Sequence, residues 1–335
     1  MRVRFKPPRE QRTALKAQRA RLQQPAELLS LLRSTVVPAD FRPTGAVGRV
    51  ESVHPDRFTM RAQVRSTTGE ELAYALKVYS DDFVERVWAH SQALAEHYRP
   101  HDSGVVLPSQ YIPHERMLVF PWVEGRFLSD VLDDRKPALL REAARVAADL
   151  HRLPIVPDGR TTAPMVVDET LARYDRLRDR WPETAALIEP LMAALQEAVS
   201  SLDPAAPAPI HGDLSPGQFV WTGDRLVLLD LDMFAYADPA YDAGHFLAQM
   251  ERRYLLDPAL PADSWEWLAW FRDAYLAAMP RVSARNVSFY QGLTFVRKIY
   301  TICRKQMPDR TQLVPQLAKA AQAALQEVVA SGQAR

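Results

Sequence analysis

The stretch that decides the fold reads His211-Gly-Asp213-Leu-Ser-Pro-Gly-Gln218-Phe219-Val220, followed by Arg225-Leu-Val-Leu-Leu-Asp230-Leu-Asp232 and then Asp238-Pro-Ala-Tyr-Asp242. Glycine is scarce in this chain, 12 of 335 residues, about half the usual share of roughly 7%. Yet Gly212, Gly217 and Gly223 all fall in this stretch. Such clustering marks backbone held in tight turns or at positive φ. A proline-bounded loop presents Asp213 and Gln218 five residues apart, and an apolar strand ending in Asp230 follows seventeen residues after Asp213.

Working outward, the pattern alternates from about residue 46. Val47–Val53, Arg57–Arg65 and Leu72–Tyr79 read as three strands, with turns at His54-Pro-Asp56 and Thr67-Thr-Gly69. A helix over Asp82–Tyr98 and two more strands, near Ser109–Ile112 and Met117–Pro121, complete a compact unit. Beyond Gly125 helical spacing dominates, as in Ala138–Leu153, with two short strands flanking a turn at Gly223-Asp224. The layout predicts an α+β protein with a small antiparallel-sheet N-lobe and a larger helical C-lobe. Its expected divisions are a basic helical extension over 1–40, an N-lobe over 41–122 and a C-lobe over 123–335.

Composition excludes several classes. One cysteine, Cys303, rules out an internal disulfide framework and a Cys-rich zinc site. It also points to a reducing, cytoplasmic setting. No apolar run approaches a membrane span, and a net charge of +1 argues against a whole-protein footprint for nucleic acid. That near-neutrality hides a segment, residues 1–24, with eight cations and one acid, against a body of −6. The segment reads as an amphipathic helix or a mobile arm lying on the acidic body. A nucleic-acid or other anionic partner for it is the alternative.

The loop residues suit phosphoryl transfer. One carboxylate orients or deprotonates a hydroxyl, while a second carboxylate and an amide oxygen suit a hard cation such as Mg²⁺. The set resembles the family of small-molecule kinases that includes aminoglycoside phosphotransferases and choline kinases, relatives of the protein kinases. That family's His-x-Asp-x-x-x-x-Asn and later Asp match at His211, Asp213, Gln218 and Asp230. The resemblance implies a bilobal protein-kinase-like fold, ATP and Mg²⁺ as cofactors, Asp213 as the catalytic group, and Gln218 and Asp230 as metal ligands. It also implies that Asp242 holds the loop, that His211 braces it, and that His151 packs beneath it. Gln218 departs from the family's Asn by one methylene, which leaves open a competent but longer-reaching ligand or a lost one. Asp232, two residues beyond Asp230, would share its face on a strand. It stands equally as a second metal contact or a solvated carboxylate.

In the sheet lobe the resemblance assigns Lys77 to the nucleotide phosphates, paired with a helix glutamate. Glu85 is preferred for that partner, with Glu96 on another face of the same helix. The connector from Leu118 resembles the family's adenine-reading hinge, with Val119, Phe120 and Trp122 as lining residues, although an apolar strand would look the same. The turn expected to cover the nucleotide, near Ser52–Arg57, contains no glycine. That feature and Gln218 motivate the alternative of a nucleotide-binding regulatory pseudokinase.

For the acceptor, Ala274 through Pro308 contains no Asp or Glu but six cations: Arg281, Arg285, Arg297, Lys298, Arg304 and Lys305. By charge complementarity this weighs against a polycationic aminoglycoside. A sugar-like or otherwise polyhydroxylated small molecule, neutral or anionic, ranks first and an antibiotic second.

Overall fold

The computed structural model describes residues 7–98, 104–257, 260–261 and 264–333. Those up to Glu124 form one compact unit and those from Gly125 onward another. The first opens with α1 (Arg9–Leu22) and α2 (Pro25–Thr35). Pro25 takes the first helical position, where its missing N–H sacrifices no hydrogen bond. An antiparallel meander follows, β1 (Pro43–Val53), β2 (Arg57–Ser66) and β3 (Glu71–Tyr79), then α3 (Phe83–Ala95), β4 (Gln110–Ile112) and β5 (Met117–Pro121). The strands order as β1-β2-β3-β5-β4.

Period-two alternation gives this sheet two buried faces. On one, Met60, Val64, Leu76, Val78 and Val119 pack with Leu15, Leu22, Leu28 and Leu32 of α1 and α2. On the other, Tyr79 and Leu118 pack with Val84 and Val87 of α3. The basic helix is therefore part of the sheet unit's core, not an arm beside it. Gln18 and Arg21 also tie it to the β4–β5 hairpin, donating to the Glu115 carboxylate at 2.7 and 2.6 Å. The exposed cations Arg9 and Lys16 and the half-buried Arg19 border a groove whose other wall is His54, Pro55 and Phe58. Arg2, Arg4 and Lys6, counted in the same charge run, lie outside the described residues.

The second unit contains β6 (Arg126–Phe127), α4 (Lys136–His151), α5 (Ala163–Arg180), α6 (Pro182–Val199), β7 (Ala208–Ile210), β8 (Phe219–Trp221), β9 (Leu226–Leu228) and β10 (Ala235–Ala237). It closes with α7 (Ala240–Leu256), α8 (Glu266–Ala278), α9 (Ala284–Lys305) and α10 (Arg310–Gln333). β8 pairs with both β6 and β9, while β7 pairs with β10. Phe246 of α7 stacks on Phe271 of α8 at 3.8 Å between centroids, at the centre of the helical core. α7 and α9 approach closely at Gly244, where a Cβ would lie 2.5 Å from the Val287 carbonyl oxygen. That approach brings the polar faces of the two helices together. Among the described residues no helix is long and apolar enough to cross a membrane.

Candidate active site

β7 feeds directly into the loop. Gly212 stands at φ +80°, and a Cβ there would lie 2.3 Å from the Met233 carbonyl oxygen, so both conformation and space require glycine. His211, fully buried, braces the turn with both ring nitrogens. Its Nε2 donates to the Leu229 carbonyl at 2.9 Å, and its Nδ1 accepts from the Asp213 amide at 3.2 Å. One imidazole thus links the residue before Asp230 to Asp213 itself.

Asp242, in the first turn of α7, holds the loop from below. Its Oδ2 accepts from the His211 amide at 2.6 Å and its Oδ1 from the Gly212 amide at 2.9 Å. His151, at the end of α4, donates from Nε2 to the same carboxylate at 3.0 Å, and its Nδ1 meets the Tyr275 hydroxyl at 2.7 Å. Tyr275 in turn donates to the Pro239 carbonyl at 3.1 Å. Burial opposes a charge on Asp242, yet the His151 bond, the His151 and His211 rings and the Gly212 amide together hold its carboxyl below the usual range.

Asp213 itself is half-exposed, at 49% of its side chain, with Oδ1 3.2 Å from His245 Nε2. Desolvation raises its pKa, but the His245 hydrogen bond and the charges of His245, Lys298 and His211 outweigh that and bring it down to about 2. It is therefore a carboxylate throughout the neutral range. Burial pushes His245 below the ordinary histidine value against the pull of Asp213. Gln249, one turn on, places its amide nitrogen 3.0 Å from the same His245 nitrogen.

Gln218 and Asp230 are brought together by the β8–β9 pairing. Phe219 lies opposite Leu228, and the Leu229 amide donates to the Gln218 main-chain oxygen at 2.8 Å. The residues after β9 differ from the expected extended strand. Asp230 adopts a left-handed conformation, φ 63° and ψ 66°, and Leu231–Met233 form a 3-10 turn. The shared face proposed for Asp230 and Asp232 requires strand geometry and so does not exist. Asp232 is 6% exposed, which removes the solvated alternative.

In the sheet unit, Lys77 sits mid-β3, 7% exposed, opposite Thr59 and Leu118. It lies on the α3 face with Leu118 and Phe120. Val119 faces the α1–α2 core and is fully buried, so its side chain is excluded from any pocket on the Lys77 face. Trp122 lies beneath the Arg61 guanidinium, 4.6 Å from the ring centroid. Glu85 and Glu96 are both exposed. The polar residues on the buried side of α3 are instead His90 and Ser91.

Of the six cations in the acid-free segment, two are engaged elsewhere. Arg297 donates to the Tyr241 hydroxyl at 2.9 Å, and Arg285 to the Val328 carbonyl at 2.9 Å. Arg281, Arg304 and Lys305 are exposed. Only Lys298 reaches a cavity of about 410 Å³ beside the loop, walled by Ser215, Gly217, Gln249 and Arg252. Sequence reasoning missed His245, Gln249 and Arg252. The available signal was Asp242, His245 and Gln249 at i, i+3 and i+7, a polar stripe along the first three turns of a helix whose other residues there are mostly apolar.

The sequence model of the phosphotransferase enzyme family matches residues 61–284. A comparison with curated proteins returned no match. Among solved structures, the chain is similar to a choline kinase from Cryptosporidium parvum, with TM-score 0.63 and 9% identity, covering 91% of this chain and 96% of that one. It is also similar to wild-type aminoglycoside 2'-phosphotransferase-IIIa in its GDP complex, with TM-score 0.58, 15% identity and coverage of 89% and 98%. The choline kinase LicA from Streptococcus pneumoniae gives TM-score 0.57 at 13% identity, over 90% and 98% of the two chains. These likenesses establish a protein-kinase-like fold.

Proposed function

The chain belongs to the phosphotransferase enzyme family, and we propose that it moves the γ-phosphate of ATP to a hydroxyl of a sugar-like or polyhydroxylated small molecule, with Mg²⁺ as cofactor, in the cytoplasm. The observation that carries this reading is Asp213, half-exposed on a loop whose His211, Gly212 and Asp213 amides are held by Asp242 and the His211 ring.

The donor set suits Mg²⁺: a carboxylate from Asp230 and an amide oxygen from Gln218 are hard ligands, and the Leu229–Gln218 main-chain bond holds their two segments together. When bound with the nucleotide, Mg²⁺ neutralises charge on the β- and γ-phosphates. Lys77, mid-sheet on the α3 face, matches the family's phosphate-binding lysine and would take that role. His245 fixes Oδ1 of Asp213, which leaves Oδ2 to accept the hydrogen of the acceptor hydroxyl and aim its oxygen. A carboxylate at about 2 is a weak base at neutral pH. Asp213 therefore works chiefly by orientation, as a largely dissociative transition state allows.

The test is Asp213→Asn. Turnover should fall by about 10²–10⁴-fold, while nucleotide affinity measured by calorimetry stays within about twofold. Retained turnover would remove Asp213 from its role. Gln218 favours the second reading, a nucleotide-binding regulatory protein. Nucleotide that binds but is never consumed across acceptors would establish that reading instead.

A further inference from the structure

The cavity beside the loop is lined by four cations, Lys136, Arg252, Arg253 and Lys298, and by no acid among the described residues. Two of the four are committed elsewhere. Arg253 pairs with Asp130 at 3.2 Å, and Lys136 donates to the Leu128 carbonyl at 2.5 Å while lying over Trp267. Arg252 and Lys298 make no side-chain hydrogen bond and no ion pair among the described residues. The Arg252 Nε and the Tyr254 hydroxyl, both at this wall, are buried with no hydrogen-bond partner among the described residues. Unsatisfied donors of this kind carry a desolvation cost unless a guest engages them.

We propose that the acceptor is an anionic molecule, a hydroxylated phosphate ester or carboxylate, whose charged group seats between Lys298 and Arg252. The inference rests on the phosphotransferase reading and adds the chemical class of its acceptor. Gln249 on the cavity wall leads through His245 to the Asp213 carboxylate, which lies behind the lining residues. An anionic end is repelled from Asp213 and drawn to the two cations, which turns the hydroxyl end towards the carboxylate. A polycation meets the opposite pattern and is disfavoured. The proposal also accounts for two like charges beside one pocket. Burial, reinforced by Arg252, Arg297 and Lys305 against the pull of Asp213, holds the Lys298 amine down to about 8. An incoming anion relieves that strain.

The experiment has two arms, both on the full chain. In the first, acceptor-dependent nucleotide consumption is measured with a hexose, its 6-phosphate, the matching aldonate and the matching 2-amino sugar. The phosphate ester or the aldonate is expected to exceed the neutral and amino sugars at least about tenfold in kcat/KM, and the better of the two anions identifies the group. Equal or better turnover of the neutral or amino sugar overturns the proposal and leaves the phosphotransferase reading intact. In the second arm, inorganic phosphate is titrated calorimetrically with the nucleotide site saturated by a non-hydrolysable analogue. Lys298→Met and Arg252→Gln should each weaken phosphate about tenfold, with Lys298→Arg retaining it. Binding that is absent, or unchanged in both variants, overturns the anion site. A silent acceptor panel with phosphate binding that responds to the variants overturns the phosphotransferase reading instead.

Discussion

Lys298 is buried among three other cations, with the Asp213 carboxylate as the opposing charge. Burial and the nearby Arg252, Arg297 and Lys305 bring its amine to about 8, from the ordinary 10.5, with Asp213 opposing them. The unfolded chain binds that proton more tightly than the folded one. The charged amine therefore destabilises the fold below about pH 8, and the penalty is relieved as pH rises from about 8 towards the unfolded value. Lys298→Met should accordingly raise the Tm of the ligand-free protein at neutral pH by about 2–4 °C, even as it weakens anion binding. Scanning calorimetry checks this, and a lowered Tm would mean that the amine is already satisfied. Asp213 follows the opposite logic. With its pKa at about 2, it remains ionised through the working range. A plot of log kcat against pH should show no carboxylate limb between about pH 4 and 7; an inflection there that vanishes in Asp213→Asn would contradict the orienting role.

The elements meet at Asp242. It joins the first turn of α7 to the loop after β7 and to the end of α4, and through His151 it reaches Tyr275 of α8. Three donors converge on one carboxylate that is fully buried, so its removal strands them together. Asp242→Ala should destabilise the protein by about 3–5 kcal/mol, read from denaturant unfolding. A loss below about 1 kcal/mol would mean that water replaces the carboxylate. The depressed carboxyl also has a pH consequence: its contribution is present above the unfolded carboxylate range and is lost as pH falls through the lower folded value. Elements likewise explain the difference at Asp230. The 3-10 turn at Leu231–Met233 begins immediately after it, and a left-handed residue makes that reversal.

Across the whole molecule, two compact units divide the labour, and α1 and α2 belong to the first. Leu22 is fully buried in its core. Leu22→Ala should cost about 2–5 kcal/mol and expose that unit. Limited proteolysis should then cut preferentially before Glu124, and uniform resistance would show that α1 is dispensable. Much of this architecture was legible beforehand. The meander, the helix after it and the loop from His211 to Asp242 are local patterns in which side-chain period and turn residues act on near neighbours. The charge run of residues 1–24 was legible as a helix, but its leucines' burial in the sheet core was not, because net charge describes a helix's solvent face and not what its apolar face covers. The acid-free segment was legible as a cationic stretch, yet only Lys298 among its six cations reaches the cavity. Arg252, from another helix, joins it because α7 and α9 close up at Gly244. Sequence by itself thus determined the family, the loop and the order of its chemical groups, since these depend on spacing along the chain. Tertiary structure alone decided which cations remain unpaired, what fixes Asp213 and which face carries Val119, since each depends on the packing of residues far apart in the chain.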